Sequence, residues 1–326
     1  MIAIPPRPRS HGSFRTVAAA LTAAGALLGV SACASPAPVA GGSSTSAGPR
    51  TAPRESPATA PPATPQSGLA KGLALPMAAY MENYSQRQTI NAALGRLTHD
   101  CMARFGFSYD PPPSDGNPAS IYDDTNMARR YGITDQALAA KLGYGLGDDS
   151  YTPPPGPTMT DAEIAVFSGH VALRPGAAPA PPGYNGIPIP KDGCRRESLD
   201  KVGGMLDTTL PGHLDAQSMD TSQADPAVQS ALREWSSCMA GRGYTVALPS
   251  DANTLAPAGG SQGPGSAEIT VALADIDCKR KVDLVGIWFR TESQVQNRLI
   301  EQNQLALGDV RDRIAAAVRT ATAVTG

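Results

Sequence analysis

The chain has no Cys-x-x-Cys pair, and its few histidines, His11, His99, His170 and His213, are scattered. Zinc sites need cysteine and histidine at short spacings, so this pattern argues against one. There is no basic stripe either. The formal net charge is −2, and an acidic chain without clustered lysine and arginine argues against a nucleic-acid partner. Beyond Val30 no apolar stretch approaches the about 20 residues that cross a bilayer. Alternating apolar runs are scarce: "NGIPIP" at 185–190 and "YTVALP" at 244–249 suggest short extended pieces, and the rest points to a mostly α fold. A serine-hydrolase elbow, Gly-x-Ser-x-Gly, is missing too, because "GPGSA" at 263–267 departs from that order.

What is present begins at the N-terminus. Residues 1–16 carry Arg7, Arg9 and Arg15 and no acid. Val17 to Val30 is uncharged and rich in alanine and leucine, with the length of a signal-peptide core, about 7–15 residues. Val30-Ser31-Ala32-Cys33 follows and resembles the lipobox of bacterial lipoproteins. The resemblance implies cleavage of residues 1–32 and a diacylglycerol thioether on Cys33, carrying chains such as palmitate. Two acyl chains matter physically, since one alone holds a membrane only marginally at about 0.8 kcal/mol per methylene. Loss of the three arginines would take the charge from −2 to −5.

Ala34 to Ala70 contains no aromatic residue and a single acid, Glu55. Such a Pro/Ala/Ser/Thr segment cannot bury enough apolar surface to offset its ordering entropy, so residues 33–70 read as a disordered tether. Its typical span is about 35 Å. A helical domain is expected over 71–326.

That domain contains a repeat. "CMARFGF" at 101–107 parallels "CMAGRGY" at 238–244, and each is followed by a second cysteine with basic neighbours, "GCRRE" at 193–197 and "DCKRK" at 277–281. The pattern predicts two helix–Cys–loop–Cys–helix units, about 75–206 and 222–320. In the first, Leu75-Pro76 opens a helix, and Ile90, Leu94, Leu97 and Cys101 form one face ending near Gly106. In the second, Asp225-Pro226 supplies a cap and first-turn proline, with Val228, Ala231, Trp235 and Cys238 on one face. Gly241 or Gly243 ends it. Between the first pair of cysteines come a short helix after Thr134 and the capping box Thr160-x-x-Glu163. From Ala267 to about Thr320 there is no proline, and a helical stripe runs throughout; as one helix it would be about 80 Å long. Gly286 and Gly308 are the expected points of a break.

Four cysteines in an exported chain read as two disulfides, with three possible pairings. The repeat favours Cys101–Cys194 and Cys238–Cys278, each joining the end of one helix to the start of the next.

Little else carries chemistry. His99-Asp100-Cys101 brings three reactive groups together in sequence, but helical neighbours do not face one another. "GYGLGDD" at 143–149 lacks the strand and helix of a dinucleotide loop and reads as a turn. Asp123-Asp124 and Asp148-Asp149 lack calcium-loop spacing. Trp235 and Trp288-Phe289 read as core. No catalytic residue, metal or cofactor is assigned, and the chain is expected not to be an enzyme.

As a set, "RRYGITD", "NGIPIPKDGC", "SQADPAVQSALREWSSCMAGRGY" and "DIDCKRKVDLVGIW" resemble exported actinomycete lipoproteins over about residues 75–320. The resemblance implies a lipid-anchored, extracytoplasmic protein with paired cysteines and supplies no reaction. The function expected is non-catalytic binding of another envelope protein or peptide. Sequestration of a membrane-active peptide as an immunity-type lipoprotein, and solute binding for an importer, are the alternatives.

Overall fold

A computed structural model describes residues 64–111, 127–145, 156–256 and 263–326. Cys33 and the tether before residue 64 lie outside them, as do Asp123, Asp124, Asp148 and Asp149. The packed chain reaches back past residue 71. Leu69 N–H donates to the Thr134 carbonyl at 2.9 Å, and Ala70 is fully buried.

Leu75-Pro76 starts a 3₁₀ turn, Pro76–Tyr80, rather than the first α-helix. That helix, α1, is Tyr84–Ala103, begun by a reciprocal capping box between Asn83 and Gln86. Its successors are α2 (Gln136–Leu142), α3 (Asp161–Ser168), strands β1 (Gly183–Tyr184) and β2 (Ile187–Pro188), and α4 (Gly193–Lys201). Then follow α5 (Thr209–Gln223), α6 (Pro226–Ala240), α7 (Ser266–Lys281), α8 (Leu284–Gln302) and α9 (Gln304–Thr325). The chain is mostly α, as its pattern predicts, with a long C-terminal helix.

Several local readings hold in detail. Thr160 and Glu163 cap α3 reciprocally, and the Asp225 side chain accepts the Ala227 N–H at the start of α6. β1 and β2 pair antiparallel across Asn185-Gly186, both at positive φ, as a two-residue hairpin of this kind requires. "YTVALP", by contrast, forms no strand. Its Val246 carbonyl accepts from the Ser236 hydroxyl on α6 instead of from a neighbouring strand.

The proline-free C-terminal stretch breaks twice, and neither break is at the expected glycine. α7 ends at Lys281, and Asp283, at φ 51°, turns the chain into α8. Gly286 sits inside α8; a Cβ there would collide with the Asp283 carboxylate, so the glycine admits that side chain. Asn303 caps α8 and starts α9, its side chain donating to the Leu299 carbonyl at 2.8 Å. Gly308 lies within α9.

The main core lies among α5 to α8 and the 127–133 segment, and holds Trp235, Trp288, Tyr131, Leu284 and Met239. A smaller cluster of Met102, Phe105, Tyr109 and Val166 surrounds the first cysteine pair between α1, α3 and α4. α1 also packs on α9 through Ile90, Ala93, Ala317 and Ala321. Small residues there let the two backbones approach.

Candidate functional site

The pairing favoured by the repeat is the one present. Cys101 is bonded to Cys194 and Cys238 to Cys278, with Cα separations of 5.6 and 5.7 Å. One part of that expectation fails: Cys194 does lie in the first turn of α4, but Cys278 lies near the end of α7. Both helices of the second unit therefore meet at their C-terminal turns.

The repeated sequence has a common geometric cause. In the first copy Gly106, at φ 80°, lets the Phe107 N–H reach back to the Met102 carbonyl at 3.2 Å. In the second, Gly243 at φ 89° lets the Tyr244 N–H reach the Met239 carbonyl at 3.0 Å. Each is a glycine-closed helix end with an aromatic residue just past it.

The densest chemistry sits elsewhere, on the facing sides of α5 and α8. Trp288, Glu292 and Gln296 recur every four residues on α8 and meet Ser222, Ser218 and Asp215 on α5. Trp288 Nε1 donates to Ser222 Oγ at 3.0 Å, Ser218 Oγ to Glu292 at 2.9 Å, and Gln296 Nε2 to Asp215 at 2.9 Å. Gln296 Oε1 accepts the Met77 N–H at 2.8 Å. Arg130 inserts its guanidinium between the acids, 2.6 Å from Asp215 and paired with Glu292. Tyr131 donates to Glu292 Oε2 at 2.7 Å while its ring stacks on Trp288 at 5.0 Å. Burial, then the adjacent Glu292 carboxylate, push the Tyr131 phenol far up. Arg130 is held charged: its pairing with Glu292 and Asp215 outweighs burial.

A second buried group links α6, α7 and the 127–145 segment. Asp275 accepts from Trp235 Nε1 at 3.0 Å and from Lys279 Nζ at 3.1 Å, and from Tyr144 at 3.4 Å. Lys279 Nζ also donates to the Ile133 carbonyl at 2.9 Å. Gly132, at φ 81°, makes room for it, since a Cβ there would lie 2.7 Å from Nζ. Burial raises the Asp275 carboxyl, with the Lys279 charge opposing, and lowers the Lys279 ammonium, with Asp275 opposing. Burial likewise pushes the Tyr144 phenol up.

These groups point at one another. Each Glu292 oxygen is taken by Arg130, Tyr131 or Ser218, and Lys279 has no exposed surface. Such saturated networks hold helices in register.

The candidates from sequence are dispersed. His99 Nδ1 lies 3.2 Å from Asp100, both exposed, while the Cys101 sulfur is committed to its bridge. "GYG" at 143–145 is a turn whose Tyr144 N–H donates to Glu268 at 3.0 Å. Trp235 and Trp288 are core, and Ser266 of "GPGSA" starts α7. Among the described residues no group of three or more His, Cys, Asp or Glu gathers as a metal site would. Arg130, Asp215, Glu292, Gln296, Asp275 and Lys279 were not singled out by sequence. Their signal is the four-residue spacing of polar side chains on α8, together with the Asp275/Lys279 pair on α7.

Among the described residues, open grooves mark the surface. One, of about 520 Å³, lies between 67–69 and α2 beside Arg280. Another, of about 480 Å³, runs along α6 against Ala247 and Leu248. In comparisons with known proteins, no family model, no curated protein and no solved structure matches this chain.

Proposed function

We propose that the protein is an envelope lipoprotein, held at the membrane through Cys33, whose helical domain is a non-catalytic binding module. The observation that carries this reading is the order of its parts: basic n-region, apolar core, Val30-Ser31-Ala32-Cys33, tether, then a domain with two disulfides. Disulfides persist in oxidising compartments, which is where such a leader would send the chain. The non-catalytic part is supported by the buried acids and bases, which are paired with each other rather than aimed at a cleft.

The test is mass spectrometry of the intact protein from membrane fractions. It is expected to find a mature chain starting at a diacylglyceryl-modified Cys33. Recovery of Cys33→Ala in the same fraction, with normal processing, would overturn the anchor.

Sequestration of a membrane-active peptide is the second reading, and the groove along α6, with Leu232 and Leu248 in its lining, is the observation in its favour. Solute binding for an importer usually uses two α/β lobes, and a mostly helical chain lends it no support.

A further inference from the structure

The two disulfides differ at one helix end: Cys101, Cys238 and Cys278 all lie in last turns, and only Cys194 lies in a first turn. Cys194 occupies the first turn of α4, where free N–H groups and the helix dipole favour an anion. Its partner Cys101 has the Arg104 guanidinium 2.8 Å from Sγ. Glu197 holds Arg104 there and lies 3.8 Å from the same sulfur. The other Glu197 oxygen is paired with Lys201 at 2.6 Å, so the three side chains leave one positive charge in excess. Arg195, the residue after Cys194, is near enough to Tyr109 to pull against the burial that raises its phenol.

Cys238 and Cys278 both lie in the last turns of their helices, where the dipole disfavours an anion, and the bases beside Cys278, Lys279 and Arg280, are paired with Asp275 and Asp277. Among the described residues no hydrogen bond or ion pair reaches either sulfur.

We propose that Cys101–Cys194 is a redox-responsive strap and Cys238–Cys278 a permanent one, so that a dithiol reductant opens the first and leaves the second closed. Arg104, half-exposed, swings aside, and a thiolate of the reductant attacks Cys101 Sγ. The bond between the sulfurs breaks and Cys194 leaves as a thiolate at the α4 N-terminus. The reductant's second thiolate then attacks its own sulfur in the mixed disulfide and releases Cys101. Two electrons pass to the protein, the dithiol becomes a disulfide, and its two protons end on the cysteines or solvent. A lower-energy leaving thiolate makes this exchange both faster and more favourable. Opening the strap loosens α3, the hairpin and α4 from α1, because the small cluster between them is built around the bridge. The core among α5 to α8 keeps its own disulfide.

The experiment equilibrates the full chain, in detergent, with dithiothreitol at graded reduced-to-oxidised ratios, then alkylates and maps the cysteine peptides. Cys101 and Cys194 are expected to become half-alkylated at a ratio at least tenfold lower than Cys238 and Cys278, about 30 mV for a two-electron couple. A smaller gap, or the reverse order, overturns the proposal. Arg104→Gln, at an exposed position, is expected to narrow the gap at least threefold without altering the fold; an unchanged gap overturns the guanidinium's part. Protease added at the ratio where only the first bridge is open is expected to cut within 169–192 at least tenfold faster than in the oxidised chain. Unchanged cleavage overturns the loosening.

Discussion

Met102 and Met239 occupy the same step of the two cysteine units. Each is buried beside its cysteine, and each carbonyl accepts the N–H of an aromatic residue five positions on. Past that shared helix end the units diverge. The first bridge runs to the start of a nine-residue helix and is surrounded by a small aromatic cluster. The second runs to Cys278 near the end of α7, within the Asp275 to Lys279 turn beside the main core. A bridge needs only its Cα separation and side-chain direction to be met, so one local motif serves two directions of approach. The difference teaches where each half draws its stability: the first from a cross-link over aromatic side chains, the second from tryptophans and paired buried charges.

The comparison breaks hardest at Arg130. Arg130→Met takes the guanidinium away from two buried acids, Asp215 and Glu292, and is expected to cost about 3–5 kcal/mol in urea unfolding. Arg104→Met, at the half-exposed pair of the first unit, is expected to cost no more than about 1 kcal/mol. Equal losses would erase the distinction. Next come the bridges, each worth about 2–5 kcal/mol. Cys238→Ser/Cys278→Ser is expected to expose α5 to α8 to protease, whereas Cys101→Ser/Cys194→Ser should confine cleavage to 156–204, read by peptide mapping.

A third test uses pH. In Lys279→Met, Asp275 loses the charge that opposes its burial, so its folded carboxyl rises further above its unfolded value. A carboxyl raised on folding contributes stability at pH below its unfolded value and loses it as pH rises through the folded one. The variant's deficit relative to the parent is therefore expected to be larger at pH 7 than at pH 4, read from urea unfolding at the two pH values. Carboxyls held low by their partners, such as Glu197 and Asp135, are present in both proteins and cancel in the difference. A deficit independent of pH would mean that Lys279 acts by packing alone. The smallest effect sharpens what the two units share. Gly106→Ala and Gly243→Ala each place a Cβ in open space, so only the positive φ is penalised, by about 1 kcal/mol in both. Unequal thermal shifts would show that the two helix ends are not equivalent.

Local signals account for what was legible in sequence. The caps at Thr160 and Asp225 and the repeated helix end depend on residues within a few positions of one another, and each is readable as such. The pairing of cysteines followed from the repeat. α5 was not read because its buried face is Asp215, Ser218 and Ser222 as much as Leu214; a hydrophobic period cannot find a polar face. Glycine is the expected mark of a break, whereas Asp283 turns the chain through its own left-handed backbone and Asn303 through a side-chain bond to the Leu299 carbonyl. Arg130 carries no local sign of burial, because only tertiary structure brings Asp215 and Glu292 beside it, whereas Lys279 has Asp275 one turn before it on α7.

The first described residues have a mechanical consequence. Leu69 is bonded to Thr134, Ser67 is bonded to Asp135, and Ala70, Leu73 and Leu75 are packed inward before α1 begins. A pull on the N-terminal end of this chain therefore meets the loop that carries Arg130 and Tyr131 first. That loop is bonded in turn to Lys279 on α7 and Glu292 on α8, so tension passes to those bonds before it reaches α1 farther along the chain.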